Sequence, residues 1–428
     1  MVSESGPRVE DSTDALVDGD RALVAGTARA ALAHRDFRVV WTGMFGSNIG
    51  TWMQNVLLGA YGYALTGSAG FVGLLYFAQL GPLLVLATPG GVLADMVNRR
   101  RLLIWAQSEQ VVFSLLLALL ATSHHPSHIG IVACVFAVGI GNAVSAPAMA
   151  AVIPNLVPKA DLAGAVSLQS VQMNLSRAIG PAIGAALFSA VGASAVFVVN
   201  AATYLFLLGA LVAVNPSQES NPSPHETVAS KLASGFRLAW SDPLVRRILL
   251  IMVTFSFFSL AFVGLMPVLA DKNFGIGPKS IQYGLLYAGF GLGAALGAVS
   301  VGSFLAHRSR TGLVRWGLVA FAILLGAFGS VRLQVMAYPL ALLLGYAYFV
   351  VTTSLSTVLQ IHLEDAVRGR IMALWIMSFG GTVPLGVLVG GALAGHVGIT
   401  AVIAAGAVVA LVLVRYTNLA AIQANQLR

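Results

Sequence analysis

Gly91-Val92-Leu93-Ala94-Asp95-Met96-Val97-Asn98-Arg99-Arg100-Arg101 is a short charged interruption in a chain that is otherwise strongly apolar. It stands between the second and third of about twelve long apolar runs. An acidic residue at the end of one run and three arginines at the start of the next make a tight basic turn at a membrane surface. An aspartate at the C-terminal end of its own helix faces the negative end of that helix's dipole, so Asp95 needs a partner from elsewhere in the fold. Asn98 occupies the point where such a turn is expected to go left-handed, a conformation that Asn tolerates.

Working outward, 57% of the 428 residues are hydrophobic and only 9% are charged. The apolar runs have the length, roughly 20 residues, that crosses a hydrocarbon core, which excludes a soluble domain. Spans are expected at 39–65, 71–94, 102–122, 129–153, 164–190, 195–214, 246–270, 282–305, 314–331, 337–361, 371–394 and 400–419. An even number places both termini on one side. Of the 24 Lys and Arg, only Lys272, Lys279 and Arg332 fall on the face away from the termini, and Arg177 falls inside a span. The positive-inside rule therefore puts both termini in the cytoplasm of a multi-pass inner-membrane protein. The net charge of +8 follows from this asymmetry and from contact with anionic headgroups, so it does not argue for nucleic acid.

Residues 1–36 are polar and acidic and lack a long apolar core with a cleavage site, so they read as a disordered cytoplasmic tail with nothing cleaved. Residues 37–214 form a first six-span bundle and 246–419 a second, with a cytoplasmic tail at 420–428. Between the bundles, 215–245 is a linker that begins rich in Pro, Ser and Asn and then turns amphipathic, with Leu232, Phe236 and Trp240 on one side. The single Cys134 allows no intramolecular disulfide.

A weak repeat relates the two halves at a constant offset of 206. Ala160, Leu168, Gly180, Gly184, Ala186 and Leu187 correspond to Ala366, Leu374, Gly386, Gly390, Ala392 and Leu393, which pairs span 5 with span 11. Parallel repeats imply two similar bundles about an axis along the membrane normal, with substrate bound between them near the midplane. Gly180-Pro181-Ala182-Ile183-Gly184 also forms a small-xxx-small face that lets backbones approach closely.

Ionisable groups inside spans mark mechanism, because each costs at least about 2.5–3.5 kcal/mol at the bilayer centre. Arg177 lies near the middle of span 5 and stays charged, so it faces a wet cavity or a buried partner. Glu109 lies about two turns into span 3, as a proton-coupling site or as a neutral interhelical hydrogen bond. Span 1 carries Ser47, Asn48, Thr51, Gln54 and Asn55, with Ser47, Thr51 and Asn55 on one face. Gln79, Asn142 and Tyr346 on spans 2, 4 and 10 complete a mostly uncharged set of substrate-binding candidates.

The turn at 91–101 resembles the signature loop of major facilitator superfamily transporters, with Met96 where a basic residue is usual and Asn98 where Gly is usual. The segments Phe37-Arg38-Val39-Val40-Trp41-Thr42-Gly43, Ser145-Ala146-Pro147-Ala148, Ile153-Pro154-Asn155-Leu156-Val157-Pro158 and Asn174-Leu175-Ser176-Arg177-Ala178-Ile179-Gly180-Pro181 are similar to the exporter branch that includes enterobactin and macrolide exporters. The resemblance runs from about residue 34 to 395 and implies an all-α membrane protein of twelve helices in two pseudo-symmetric six-helix bundles. It further implies drug- or siderophore-type efflux driven by proton uptake. In that reading Gly91, Asp95, Asn98, Arg99, Arg100 and Arg101 form a conformational latch, with Asp95 docked on the start of span 11. Gly180, Pro181 and Gly184 then let span 5 bend. Some relatives carry an acidic residue in span 1 where this chain reads Gly50-Thr51-Trp52.

An ATP-driven pump needs a phosphate-cradling Gly-rich loop with Lys and Ser/Thr, and none occurs. The cluster His124-His125-Pro126-Ser127-His128 has no nearby carboxylate, and Pro126 breaks its helical spacing, so no metal is expected. An enzyme is not expected, nor a cofactor. The expected partners are a small-molecule substrate, membrane lipid and protons, with the chain acting as a monomer. One Arg among many neutral polar groups favours export of amphipathic molecules. Uptake of an anionic solute paired with Arg177, and a non-transporting receptor on the same fold, stay open.

Overall fold

The structure is a computed structural model that describes residues 24–214 and 228–418; the side chains of 228–233, of Asp95 and several of its neighbours, and of Asp365 and Ala366 lie outside the described set. The membrane-crossing helices are α1 (Arg35–Thr66), α2 (Ala69–Met96), α3 (Arg99–Leu120), α4 (His128–Val152), α5 (Leu162–Val191) and α6 (Ala193–Ala213). In the second half, α7 runs through Pro243–Thr254, a π-helical turn at Phe255–Ser259, then Ala261–Gly264 and Met266–Phe274. After it come α8 (Ile281–Gly302), α9 (Arg310–Ser330) and α10 (Gln334–His362). Then α11 joins Asp365–Ile376 to Thr382–Val397 through a second π turn at Met377–Gly381, and α12 is Ile399–Leu413. The sequence reading made α7 and α11 continuous. The extra residue in each π turn is paid out where the two breaks pack on each other.

Ten of these passes are long and apolar enough to cross a bilayer on their own composition; α1 and α5 are the two outside that set. Between them they carry Arg177 and the five polar residues of span 1 singled out above, and they are adjacent. A helix too polar for lipid must be shielded by other helices or face water.

Local chemistry sets the helix ends. Ser68, Asn98, Ser127, Ser280 and Ser309 each accept a hydrogen bond from the backbone N–H three residues on, capping α2, α3, α4, α8 and α9. Asn98 thus has φ −63° and extended backbone, not the left-handed turn expected of it: its side chain is used as the cap that opens α3. Left-handed backbone is found instead at Gly67 and Gly275, which end α1 and α7, and Gly192 (φ 89°) and Gly398 (φ 83°), which open α6 and α12, also have positive φ. Gly192 and Gly398 stand 206 residues apart, the same offset as the repeat.

In the first bundle α1 packs on α5 and α6, α3 on α4 and α6, and α2 on α4; in the second, α7 packs on α11 and α12, α8 on α10, and α9 on α10 and α12. Equivalent glycines make equivalent contacts. A Cβ on Gly180 would lie 2.7 Å from the Cβ of Trp52 in α1, and one on Gly386 would collide with the carbonyl oxygen of Phe257 in α7. The Gly180-Pro181 segment is buried and α5 stays helical through it.

Part of the stretch read as a disordered tail is helical. A short helix, Ala28–Ala33, is capped by Thr27 and held against the start of α5 by Asp161, which accepts from Gly26 N at 3.0 Å and pairs with His34 Nε2 at 2.8 Å. Those bonds hold the Asp161 carboxyl below the usual carboxylate range, the His34 contact first and Gly26 second. At the corresponding place in the second bundle, His362 Nε2 lies 2.7 Å from Asp242 Oδ2, so each bundle ties the start of its first helix to the turn between its fourth and fifth. The linker contributes a helix, Val228–Ser241, with Ala239 buried and Phe236 and Trp240 exposed; Leu232 lies outside the described side chains.

Candidate functional site

The two bundles meet through α2 on α11 and α5 on α8. On the face away from the chain ends the contact is close. A Cβ on Gly73 would be 2.7 Å from the carbonyl oxygen of Val387, Gly391 sits against the backbone of Ala69, and Gly284 sits against Ala185. Tyr63 at the end of α1 donates to Asp271 Oδ2 of α7 at 2.9 Å, which adds a polar tie across the same face. Toward the face of the chain ends, Gly291 of α8 still meets the carbonyl oxygen of Arg177 in α5, whereas Gly293 and Gly297 pack on α10 instead.

Between these limits lies a cavity of about 460 Å³, within the range of ordinary ligand sites. Its inner end holds Trp52, Asn55, Gln79 and Arg177, and it runs past Thr51, Asn48 and Asn142 toward Met44, Met149 and Gln169. It therefore opens toward the face of the chain ends. Arg177 is the one charged residue among those lining it.

Arg177 is held by rings. Its guanidinium carbon lies 4.9 Å from the centroid of Trp52 in α1 and 4.9 Å from that of Phe349 in α10, so the cation meets an aromatic ring from each bundle. Tyr76, Tyr287 and Tyr348 lie within its electrostatic reach. Phe349 is packed edge-on against Tyr348, which stacks on Phe379 of the α11 π turn, itself a wall of the cavity. The Nε of Arg177 is buried without a hydrogen-bond partner. Ring faces offset part of the desolvation of a guanidinium, by about 0.5–2 kcal/mol each, and leave its edge donors available.

Of the nine substrate-binding candidates, Arg177, Ser47, Asn48, Thr51, Asn55, Gln79 and Asn142 line this one cavity. Gln54 does not: it is 1% exposed and its Oε1 accepts from Asn200 Nδ2 at 2.7 Å and from Ser114 Oγ at 3.3 Å, a buried lock between α1, α3 and α6. Tyr346 is not among the lining residues either, and its backbone packs against Gly293 and Gly297 of α8. Around the cavity, Gln79 Nε2 donates to Asn55 Oδ1, and Thr51 Oγ1 lies 3.0 Å from the Ser47 carbonyl and 3.4 Å from the Tyr204 hydroxyl.

Glu109 sits on the side of α3 that faces α4, with its Oε2 buried, unpartnered, and pressed on Gly141. Its neighbours Gln107 and Gln110 line the cavity, and Glu109 does not. Of the latch residues, Arg99, Arg100 and Arg101 lie in the first turn of α3; Arg100 Nε donates to the carbonyl of Leu211 at 2.6 Å and so ties α3 to the end of α6. The surroundings of Gly91 and the side chain of Asp95 lie outside the described set. The sequence reading missed Trp52, Phe349, Phe379, Gln107 and Gln110. Gln107 and Gln110 carried a signal, two amides beside Glu109 in an apolar span, whereas an aromatic in a membrane helix looks the same whether it faces lipid or a cation.

Comparison with known proteins agrees with this architecture. The family model described as transmembrane secretion effector matches residues 26–427. The enterobactin exporter EntS of Escherichia coli O139:H28 is 29% identical over 343 residues, 80% of this chain and 81% of that protein, and the EntS of Escherichia fergusonii is equally similar. Among solved structures, a bacterial homolog of the human lysosomal transporter Spinster, inward-facing and unoccupied, superposes with a TM-score of 0.72 at 16% identity, covering 91% of this chain and 96% of that one. The nucleoside transporter NupG superposes with a TM-score of 0.70 at 12% identity, covering 91% and 98%. These two show the fold alone. Twelve passes in two repeated bundles, together with the match along nearly the whole chain, place this protein in the transmembrane secretion effector family of major facilitator superfamily transporters, which are not enzymes.

Proposed function

We propose that the chain exports amphipathic small molecules of drug or siderophore type across the bacterial inner membrane by alternating access, with proton uptake as the driving reaction. The observation that carries this reading is the cavity itself: neutral amides and hydroxyls around a single guanidinium framed by rings suit a planar, partly apolar solute with an anionic or hydrogen-bond-accepting edge. With the basic face taken as cytoplasmic, the cavity of this conformation opens to the cytoplasm, the side from which an exporter loads. Similarity to enterobactin exporters supports the direction. Glu109 is the carboxylate we assign to coupling, and Asp95 is the residue we assign to holding one conformation against the start of α11. The bundles 37–214 and 246–419 are the units that rock.

The test is flux in proteoliposomes loaded with a panel of aromatic and catecholate compounds under an imposed pH gradient, beside the susceptibility of an exporter-deficient host with and without the gene. Export that dissipates the gradient is the expected result. Accumulation of anions in the opposite direction would replace it with uptake through Arg177, and tight binding without flux would make the protein a receptor. Asp95→Asn should lower flux with membrane insertion intact; wild-type flux from that variant would remove the latch.

A further inference from the structure

Away from the central cavity, a second recess of about 810 Å³ lies on the flank of the second bundle, between α7 and α12. Leu250 and Phe258 from α7 and Val409 and Val412 from α12 line it, and all but Val409 are largely exposed. At the face of the chain ends it is closed by Arg246 and Arg247, and no acidic residue lines it. Arg246 is held in place: its Nη1 donates to the carbonyl of Trp240 at 3.2 Å and its guanidinium lies 5.7 Å from the Trp240 ring.

Depth identifies the occupant. From Arg246 to Phe258 the helix rises about 18 Å, while half of a hydrocarbon core is roughly 15 Å. The recess therefore runs from headgroup level to about the midplane, one leaflet deep. Trp240 and Tyr416, both exposed, flank its charged end, as aromatic residues do at the membrane–water boundary. A soluble anion would use the two arginines and leave the apolar trough empty; a neutral acyl chain would use the trough and leave the arginines. Basic pockets between membrane helices on the cytoplasmic side take anionic headgroups.

We propose that this recess binds one anionic phospholipid of the leaflet on the chain-end side, its phosphate on Arg246 and Arg247 and an acyl chain laid along Leu250, Val412 and Phe258. Because Phe258 belongs to the π turn of α7, the bound chain braces α12 against the point where α7 is interrupted. Naming that leaflet cytoplasmic rests on the orientation proposed above; the binding does not.

The experiment uses the full chain purified in neutral detergent. Thermal unfolding is followed with added phosphatidylglycerol, with phosphatidylcholine of the same acyl chains, and with inorganic phosphate, and bound lipid is counted by native mass spectrometry. Phosphatidylglycerol should raise the Tm saturably and remain as a single adduct, whereas the other two should not. Arg246→Gln with Arg247→Gln should abolish the selective shift. Val412→Trp, which fills the trough and keeps both arginines, should abolish it too, and it decides the matter if the double variant fails to fold. An equal shift with phosphatidylcholine, a shift with phosphate alone, or an undiminished phosphatidylglycerol shift in either folded variant would overturn the proposal. None of these readouts requires flux, so they stand or fall apart from the export reading.

Discussion

The guanidinium carbon of Arg177 lies 4.9 Å from the ring centroid of Phe349, and the two residues belong to different bundles. Phe349 is thus part of a tie between the bundles in this conformation, and the rocking proposed above would break it. Trp52, at the same distance, lies in the same bundle as Arg177 and can travel with it. In that proposal the cation keeps the ring of Trp52 throughout and the ring of Phe349 in this conformation alone.

Replacing Phe349 with Leu should therefore shift the equilibrium away from this state, by the roughly 0.5–2 kcal/mol of one cation–π contact. Arg177→Ala should abolish transport of solutes with an anionic edge, and Arg177→Lys should retain charge but weaken a bidentate contact. Cysteine-accessibility rates at the cavity mouth, with Cys134 first replaced by Ala, report the equilibrium and radiolabelled efflux reports the transport. Unchanged accessibility in Phe349→Leu would show that the ring is packing only.

Glu109→Gln should abolish accumulation driven by a pH gradient while leaving solute binding and downhill exchange intact. The motivation is a carboxylate oxygen buried without a partner between α3 and α4, one residue from a cavity-lining amide. Paired proton and solute flux measurements decide it: full gradient-driven accumulation by the Gln variant would move coupling elsewhere.

Gly386→Val should destabilise the second bundle strongly, because the new side chain meets the carbonyl oxygen of Phe257, and backbone cannot give way as a side chain does. Overpacking of this kind costs about 1–3 kcal/mol or more. Gly209→Ala, whose added Cβ meets nothing within 4 Å, is the matched control and should leave the melting temperature unchanged. Equal melting of the two variants would refute the close approach of α7 and α11.

Asp161 gives a pH dependence with a definite sign. Its carboxyl is held below the ordinary range by His34 and by the N–H of Gly26, so the folded state favours the ionised form. Its contribution is present above the unfolded carboxylate value, about 3.9, and is lost as pH falls through the lower folded value. Asp161→Asn should reduce protection of residues 26–34 in hydrogen exchange near neutral pH and should flatten the acid limb for that segment. Unaltered exchange across 26–34 in the Asn variant would leave the pairing without energetic weight.

Composition and spacing alone determined that this chain crosses a membrane about twelve times, that its basic residues crowd one face, and that its halves repeat at 206 residues. Each follows from quantities summed over many residues or fixed along the chain: the length of an apolar run, the placement of Lys and Arg, and the interval between glycines. The identity of the key polar groups was legible for the same reason, since Arg177 and Glu109 are costly inside a span wherever they point. Which way each one points was not. Gln54 and Asn55 are neighbours on α1, yet one is locked between three helices and the other lines the cavity. A span surrounded by lipid on one side and by equally apolar helices on the other has little polar contrast to set its rotation, so helix packing sets it. Packing likewise brought Phe349 to Arg177 from the other bundle, made Asn98 a cap, and broke α7 and α11 at facing π turns. Contacts between residues so far apart in sequence exist only once two bundles have folded and met, and no local pattern in the chain encodes them.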